Sequence, residues 1–373
     1  MLLEQALRAA GFLDRDVLAL DLCAAPGGKS THLRSLLSPG SLLVANEVDG
    51  ARRHALAENL WKWGGGNVII TGSAPSDLRK LPGHFDLILV DAPCSGEGMF
   101  RKDPFARQQW TPALVDRCAL TQRRIVEQAW DALAPGGILI YSTCTWEVAE
   151  NEDQLAVLLE RGGESVAIPI DPAWGMVCTE RGTMKSYRCY PHQVRGEGFF
   201  LGMMRKPGTL RGSLTIQENA RSQHILWLRD PGNKVLVEHQ GTLHALSGRW
   251  EAECEELSST LRVVAPGIPF AERKGDDWKP HAACATSDWL DRTVFAELDL
   301  DEGAAINYLQ GQAIPAHAAQ GTALVTFQGH PLGWVQGAGS RWNNRWPQAW
   351  RIRAQQPNAP RVSWSGASSG AAR

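Results

Sequence analysis

From the start of the chain to about residue 206, short apolar runs alternate with stretches in which apolar residues recur every three or four positions. The runs are VLALDLC (Val17–Cys23), SLLVANEV (Ser41–Val48), NVIITGS (Asn67–Ser73), FDLILVDAPC (Phe85–Cys94) and GILIYSTCT (Gly137–Thr145). Their near-continuous apolar character predicts strands buried on both faces. Between them, DGARRHALAENLWKWG and PALVDRCALTQRRIVEQAWDALAPGG show helical spacing, the second closing on a Pro-Gly-Gly stop. Alternating strands and helices predict an α/β fold with a doubly wound, mostly parallel sheet. GEGFFLGMMRK (Gly196–Lys206) reads as a closing edge strand.

Beyond Lys206 the pattern changes. HILWLRDPGNKVLVEH (His224–His239) reads as a hairpin turning on Asp230-Pro-Gly-Asn233. The expected organisation is a first domain at 1–206, a small mixed domain at 207–298 and a third unit at 299–353. That third unit has short strands such as TALVTFQGHPLGWVQGAG. Residues 354–373 are rich in Ala, Ser, Gly, Pro and Gln and read as a disordered tail.

Composition narrows the class. A chain of 373 residues readily buries a large core, and its net charge of −2 gives no global basic field. Eight cysteines in this length are not a disulfide scaffold, and none are spaced Cys-x-x-Cys, so no metal site is expected. No targeting signal is visible, and no apolar run reaches the roughly 18 residues that would span a membrane. The expectation is a cytoplasmic protein whose cysteines are small core residues or reactive thiols. Charge is uneven, however. After Glu302 there is no Asp, Glu or Lys but six Arg, five of them (Arg341, Arg345, Arg351, Arg353, Arg361) among Trp342, Trp346, Trp350 and Trp364. Arg interleaved with aromatics suits RNA. The four-residue Trp spacing equally suits one buried helical face with an Arg rim.

LDLCAAPGGKST (Leu20–Thr31) follows the first predicted strand. It ends in Gly-Lys-Ser, but Cys23 stands where a P-loop requires its first Gly. The adjacent Gly27 and Gly28 likewise fail the Gly-x-Gly-x-x-Gly dinucleotide pattern. What remains is a small-residue turn at the carboxyl end of a strand, where a ligand can approach the backbone. The second strand ends in Asn-Glu-Val-Asp-Gly, and Glu47 is a candidate acceptor for ribose hydroxyls. Turn and acid together suit a nucleoside cofactor without a pyrophosphate, which points toward S-adenosylmethionine. Two later strand ends, DAPCSGEGMFRKDP (Asp91–Pro104) and YSTCTWEVAENE (Tyr141–Glu152), each place a Cys just past a buried strand. Neighbouring strands lie about 4.8 Å apart, so Cys94 and Cys144 are expected to face one cleft.

CAAPGGK, NEVDG, DAPCSGEGMFRKD, YSTCT…ENE and YPHQVRGEGFF, in this order, resemble the motifs of RNA cytosine-5 methyltransferases of the Sun/nucleolar-protein family, most closely the RsmF type. The resemblance covers essentially residues 1–353. It implies a Rossmann-like class I methyltransferase domain at 1–206, a middle linker domain at 207–298 and a PUA-like RNA-binding domain at 299–353. The implied activity is S-adenosylmethionine-dependent methylation of cytosine carbon 5 in small-subunit ribosomal RNA, by a monomer. Transfer RNA as the substrate, or an assembly factor without catalysis, are the alternatives. The resemblance makes Cys144 the nucleophile, Cys94 the releasing group and Asp91 the residue that binds cytosine near N3. Cys23, Ala24, Ala25, Pro26, Gly27, Gly28 and Lys29 would wrap the methionine end of the cofactor, with Glu47 on its ribose and Asp91 touching it as well. TGSAPSD offers Ala74 and Asp77 where relatives place an acid near the adenine, so that contact stays unassigned. The family's usual N-terminal region is not among these residues.

Overall fold

A computed structural model describes residues 2–210 and 225–353, which fall into two compact units, Met1–Val294 and Phe295–Arg373. The expected tail at 354–373 lies outside the described residues. In the first unit, helix α1 (Leu2–Ala10) precedes β1 (Leu18–Asp21), α2 (Gly28–Leu36), β2 (Leu42–Asn46), α3 (Gly50–Trp63), β3 (Val68–Thr71) and β4 (Phe85–Asp91). Then come α4 (Pro104–Gln109), α5 (Pro112–Ala132), β5 (Leu133–Thr143), α6 (Glu152–Glu160), β6 (Glu164–Ser165), β7 (Val177–Arg181), β8 (Met184–Cys189) and β9 (Phe199–Arg205).

The five predicted strands form the parallel centre of the sheet, in the order β3-β2-β1-β4-β5. Each is buried on both faces because alternate side chains feed different cores. Leu18, Leu20 and Leu22 pack on one face with Ile88, Val90, Leu139 and Tyr141. Val17 and Ala19 pack on the other with Leu87, Leu89, Ile138 and Ile140. The Pro-Gly-Gly stop of α5 falls inside β5 instead, at a register shift opposite Phe85–Leu87. Gly196–Lys206 contains β9, but β9 is not the sheet's edge: β8 and β7 extend the sheet antiparallel beyond it.

The segment expected as a separate domain at 207–298 does not stand apart. Strands β10 (Lys234–His239) and β11 (Thr242–Ser247) pair, followed by α7 (Glu251–Thr260) and β12 (Val263–Ala265). Strand β12 joins the large sheet beside β3. Val235, Leu246, Trp250, Cys254, Leu257 and Leu261 fill the same core as β1 and β4, so one hydrophobic interior serves both parts. The hairpin also lies one strand later than predicted. Pro231, without an N–H, sits in a short 3-10 turn. The reversal is made by Gln240 and Gly241, both at positive φ (49° and 74°), the backbone that a two-residue hairpin turn requires. Strands β13 (Ile268–Lys274) and β14 (Asp277–Pro280) complete this second sheet.

The second unit comprises β15 (Ala296–Leu300), α8 (Glu302–Leu309), β16 (Ile314–Ala319), β17 (Thr322–Phe327), β18 (His330–Gly337) and β19 (Gly339–Asn344), sheet order β15-β17-β18-β19-β16. Trp342 lies in β19, whereas Trp346 and Trp350 follow it, so the expected Trp-lined helix is absent. The burial itself holds for Trp346 and Trp350, whose rings meet edge to face at 5.2 Å. Arg341, Arg345 and Arg353 are exposed, while Trp364 and Arg361 lie outside the described residues.

The one ion pair buried on both sides, among the described residues, joins Arg188 of β8 to Glu152 at the start of α6, each 5% exposed or less. Ser186 also donates to Glu152. Removing one partner strands the other charge in the interior. Glu152→Ala should therefore cost about 3–5 kcal/mol, read as a lowered denaturant midpoint relative to wild type.

Candidate active site

The carboxyl ends of β1, β2, β4 and β5 surround a cavity of about 710 Å³. Asn46, the last residue of β2, holds its edge together. Its amide donates to the carbonyls of Leu22 and Ser73 (both 3.1 Å) and accepts from Thr71 Oγ1 and Ser73 N. Cys23, Glu47, Asp91, Cys94 and Cys144, all singled out from the sequence, line the cavity. Ala24, Ala25, Pro26, Gly27 and Gly28 are not among its lining residues. Three of their backbone groups bond to the protein: Ala24 N donates to Asn46 O, Arg52 donates to Ala25 O, and Asn59 donates to Pro26 O. Gly27 has φ 111°, which admits glycine with little strain, and α2 begins at Gly28.

Lys29 reaches from α2 to Asp91 (Nζ–Oδ2 2.7 Å), while Ser142 donates to the other oxygen of Asp91 at 2.7 Å. The two sulfurs of Cys94 and Cys144 are 3.1 Å apart, and Cys144 N points at Cys94 Sγ (3.4 Å). That separation is far beyond a disulfide bond of about 2.05 Å; both are free thiols. Within this pair the thiols are unequal. The hydrogen bond from Cys94 draws the Cys144 pKa below that of an ordinary thiol, with Lys29 adding to it against burial and Asp91. The same bond, together with burial, pushes Cys94 up. Thiolate character therefore collects on Cys144 rather than on Cys94.

Residues that pattern reading missed hold this geometry. Segment 95–98 grips the Cys144 loop with four bonds. Ser95 Oγ meets Thr145 Oγ1 at 3.0 Å, and Gly98 N donates to Cys144 O at 2.8 Å. Glu97 Oε2 accepts from Thr145 Oγ1 and Trp146 N, both at 2.8 Å. A side chain at position 98 would collide with Gly198 O (2.6 Å) and Cys144 O (2.7 Å), so only glycine lets the loops close. Buried Glu150 accepts from Ser95 N and Gln122, and Asn151 ties Thr143 to the Thr145 carbonyl. The signal was present in the GEG and ENE motifs, but a carboxylate's partners are not written in a motif. Pro75 and Ser76 line the cavity beside the unassigned Ala74 and Asp77.

Glu47 is 3% exposed, and its Oε2 is buried without a hydrogen-bond partner among the described residues, although Arg52 stands 3.2 Å away. An unsatisfied acceptor on the wall of a cavity this size is what a ribose diol would satisfy. The residues present thus fit a nucleoside cofactor.

Residues 13–205 match the family model of the 16S rRNA methyltransferase RsmB/F, and residues 295–352 match the Methyltransferase RsmF PUA domain. The chain belongs to the RsmB/F family of 16S rRNA methyltransferases. The chain is 33% identical over 370 residues to the Ribosomal RNA small subunit methyltransferase F of Aeromonas hydrophila, covering 93% of this chain and 76% of that protein. It is 32% identical over 360 residues to the protein of the same name from Serratia proteamaculans, covering 88% and 72%. Among solved structures, NSun6 from Pyrococcus horikoshii with SFG has 29% identity and a TM-score of 0.48, covering 55% of this chain and 52% of that one. Residues 13–205 are accordingly an S-adenosylmethionine-dependent methyltransferase domain, and residues 295–352 a PUA domain.

Two outcomes follow from the site's geometry. Glu97→Ala should slow diamide-driven disulfide formation between Cys94 and Cys144 by about tenfold or more, with the melting temperature changed far less. Glu97→Gln, which keeps one acceptor oxygen, should fall between. Asp21 Oδ1 is buried without a partner among the described residues, and burial raises the Asp21 carboxyl from 3.8 to about 7. Its folded pKa exceeds its unfolded one, so the stability it contributes is full below 3.8 and is lost as pH rises through about 7. The stability of wild type relative to Asp21→Asn should therefore fall between about pH 4 and about pH 7, and then level off, as read from melts across that range.

Proposed function

We propose that this chain transfers a methyl group from S-adenosylmethionine to carbon 5 of a cytosine in small-subunit ribosomal RNA, acting as a monomer in the cytoplasm. The observation that carries the proposal is the pair of sulfurs 3.1 Å apart at the cavity, with thiolate character on Cys144. Glu47 would hold the cofactor's ribose, while Cys23 and Asp91 would lie along it. When bound, the cofactor supplies an electrophilic methyl group on a sulfonium.

Carbon 5 of cytosine is a weak nucleophile. The Cys144 thiolate adds at carbon 6, forming a carbon–sulfur bond and moving the ring's electron pair onto carbon 5 and toward N3. That addition makes carbon 5 nucleophilic, dividing one hard step into easier ones. Asp91, fixed by Lys29 and Ser142, would bind the ring near N3. After methylation the carbon 5 proton is removed and the Cys144 thiolate leaves, restoring the aromatic ring. Cys94 would assist both, accepting that proton as the thiolate of Cys144 departs. The target base must be unpaired or flipped out to reach the thiols, and the exposed Arg residues of the PUA unit suit RNA phosphates.

The test combines wild type, Cys94→Ala and Cys94→Ala/Cys144→Ala with S-adenosylmethionine and small-subunit RNA or particles. The expected result is a retarded protein–RNA band on a denaturing gel with Cys94→Ala alone. No such band alongside an active wild type would overturn the roles of the two cysteines. Methylation of transfer RNA instead would overturn the substrate.

A further inference from the structure

A second cavity, of about 430 Å³, lies beside the segment that joins β8 to β9. Trp174, Met176, Val194 and Phe199 make its apolar wall, with Arg195 and Glu197 as charged lining residues. Trp174 is 45% exposed, unusual for so large an apolar side chain, and Arg195 is exposed. Glu197 pairs through Oε1 with Arg101 (3.2 Å), which also donates to Gly196 O. Its Oε2 is buried and has no hydrogen-bond partner among the described residues.

Phe199 ties this cavity to the catalytic one. Lys29 Nζ sits over its ring at 5.2 Å, and the same ammonium holds Asp91 on the wall of the first cavity. One residue before Phe199, Gly198 presses against Gly98 and lies under the Trp146 ring, next to Cys144. The second cavity is therefore a neighbour of the reacting thiols, on the side of the sheet extension.

An aromatic face, one unsatisfied acceptor and a guanidinium form a set that a nucleotide matches. Its ring stacks on an exposed indole, its N–H edge donates to a carboxylate and its phosphate meets an arginine. We infer that this cavity takes one unpaired nucleobase of the substrate RNA, adjacent to the target cytosine, with Trp174 as its stacking platform and Glu197 Oε2 as acceptor. The inference rests on the reading of the protein as an RNA methyltransferase, and it goes further by assigning a subsite that fixes the register of the strand. Holding a flanking base would orient the extruded cytosine toward Cys144.

The test is an equilibrium one and does not depend on methyl transfer. The probe is a fluorescein-labelled uridine dodecamer with one central cytosine, alongside the same RNA carrying an abasic nucleotide 5′ or 3′ of that cytosine. Binding is followed by anisotropy. For wild type, one of the two abasic replacements should weaken binding about tenfold. For Trp174→Ala, binding of the intact probe should weaken by a similar factor, and the same abasic replacement should then cost almost nothing. Trp63→Ala, an exposed indole that lines neither cavity, should behave as wild type. Equal abasic costs in wild type and Trp174→Ala, unchanged binding by Trp174→Ala, or no binding by wild type would each overturn the subsite. Coupling to Trp174 without any methylation of ribosomal RNA would overturn the proposed function and leave the subsite standing.

Discussion

In the pairing of β4 with β5, Asp91 stands opposite Ser142, so the chain leaves both strands at the same height and on the same side of the molecule. Parallel pairing makes this possible, since antiparallel neighbours would send one strand end to the far edge. Three residues past Asp91 comes Cys94, and two past Ser142 comes Cys144. The register of one strand pair thus brings together thiols that are fifty positions apart in the chain. The Ser142 hydroxyl that bonds Asp91 belongs to the same pairing. A slip of one residue would turn Tyr141 and Val90 away from their core and separate the sulfurs.

That register only brings the two loops near each other. Closure depends on polar groups withdrawn from water. Glu97, Glu150 and Asn151 bond to backbone and hydroxyl groups of the two loops and so tie them together. Glycines at 98 and 198 allow the backbones to touch. At such close range the sulfur pair shares one hydrogen bond, and sharing it makes the two thiols chemically different. The difference between the two thiols is thus a property of the pair. Neither cysteine carries it alone.

The rest of the first unit keeps this arrangement rigid. Residues of β10, β11 and α7 complete the core over one face of the central strands. Trp250 donates to Gly40 O, and Arg249 pairs with Asp16, across more than two hundred positions of sequence. The Arg188–Glu152 pair anchors α6, and Arg188 also donates to Trp146 O in the Cys144 loop. The sheet extension and the Cys144 loop are therefore mechanically connected.

Apolar runs and their helical spacers sufficed to determine the parallel centre of the sheet, because burial on both faces leaves no other reading of such runs. The small-residue turn, Glu47 and the two Cys-bearing strand ends were legible for the same reason: ligands gather at carboxyl ends of parallel strands. Several features were decided only in three dimensions. Strand β9 lost its edge to β7 and β8, the middle segment merged with the first core, and Trp346 and Trp350 were buried without a Trp-lined helix. Each depends on which surfaces meet, and a one-dimensional pattern records that a residue is apolar without recording its partner. The bonds of Ala24, Ala25 and Pro26 to Asn46, Arg52 and Asn59 were likewise not written in the turn's sequence. The Glu97 bridge, the Arg52–Glu47 and Arg101–Glu197 pairs and the inequality of the two thiols arise from distances of about 3 Å between residues. Only the folded chain sets such distances.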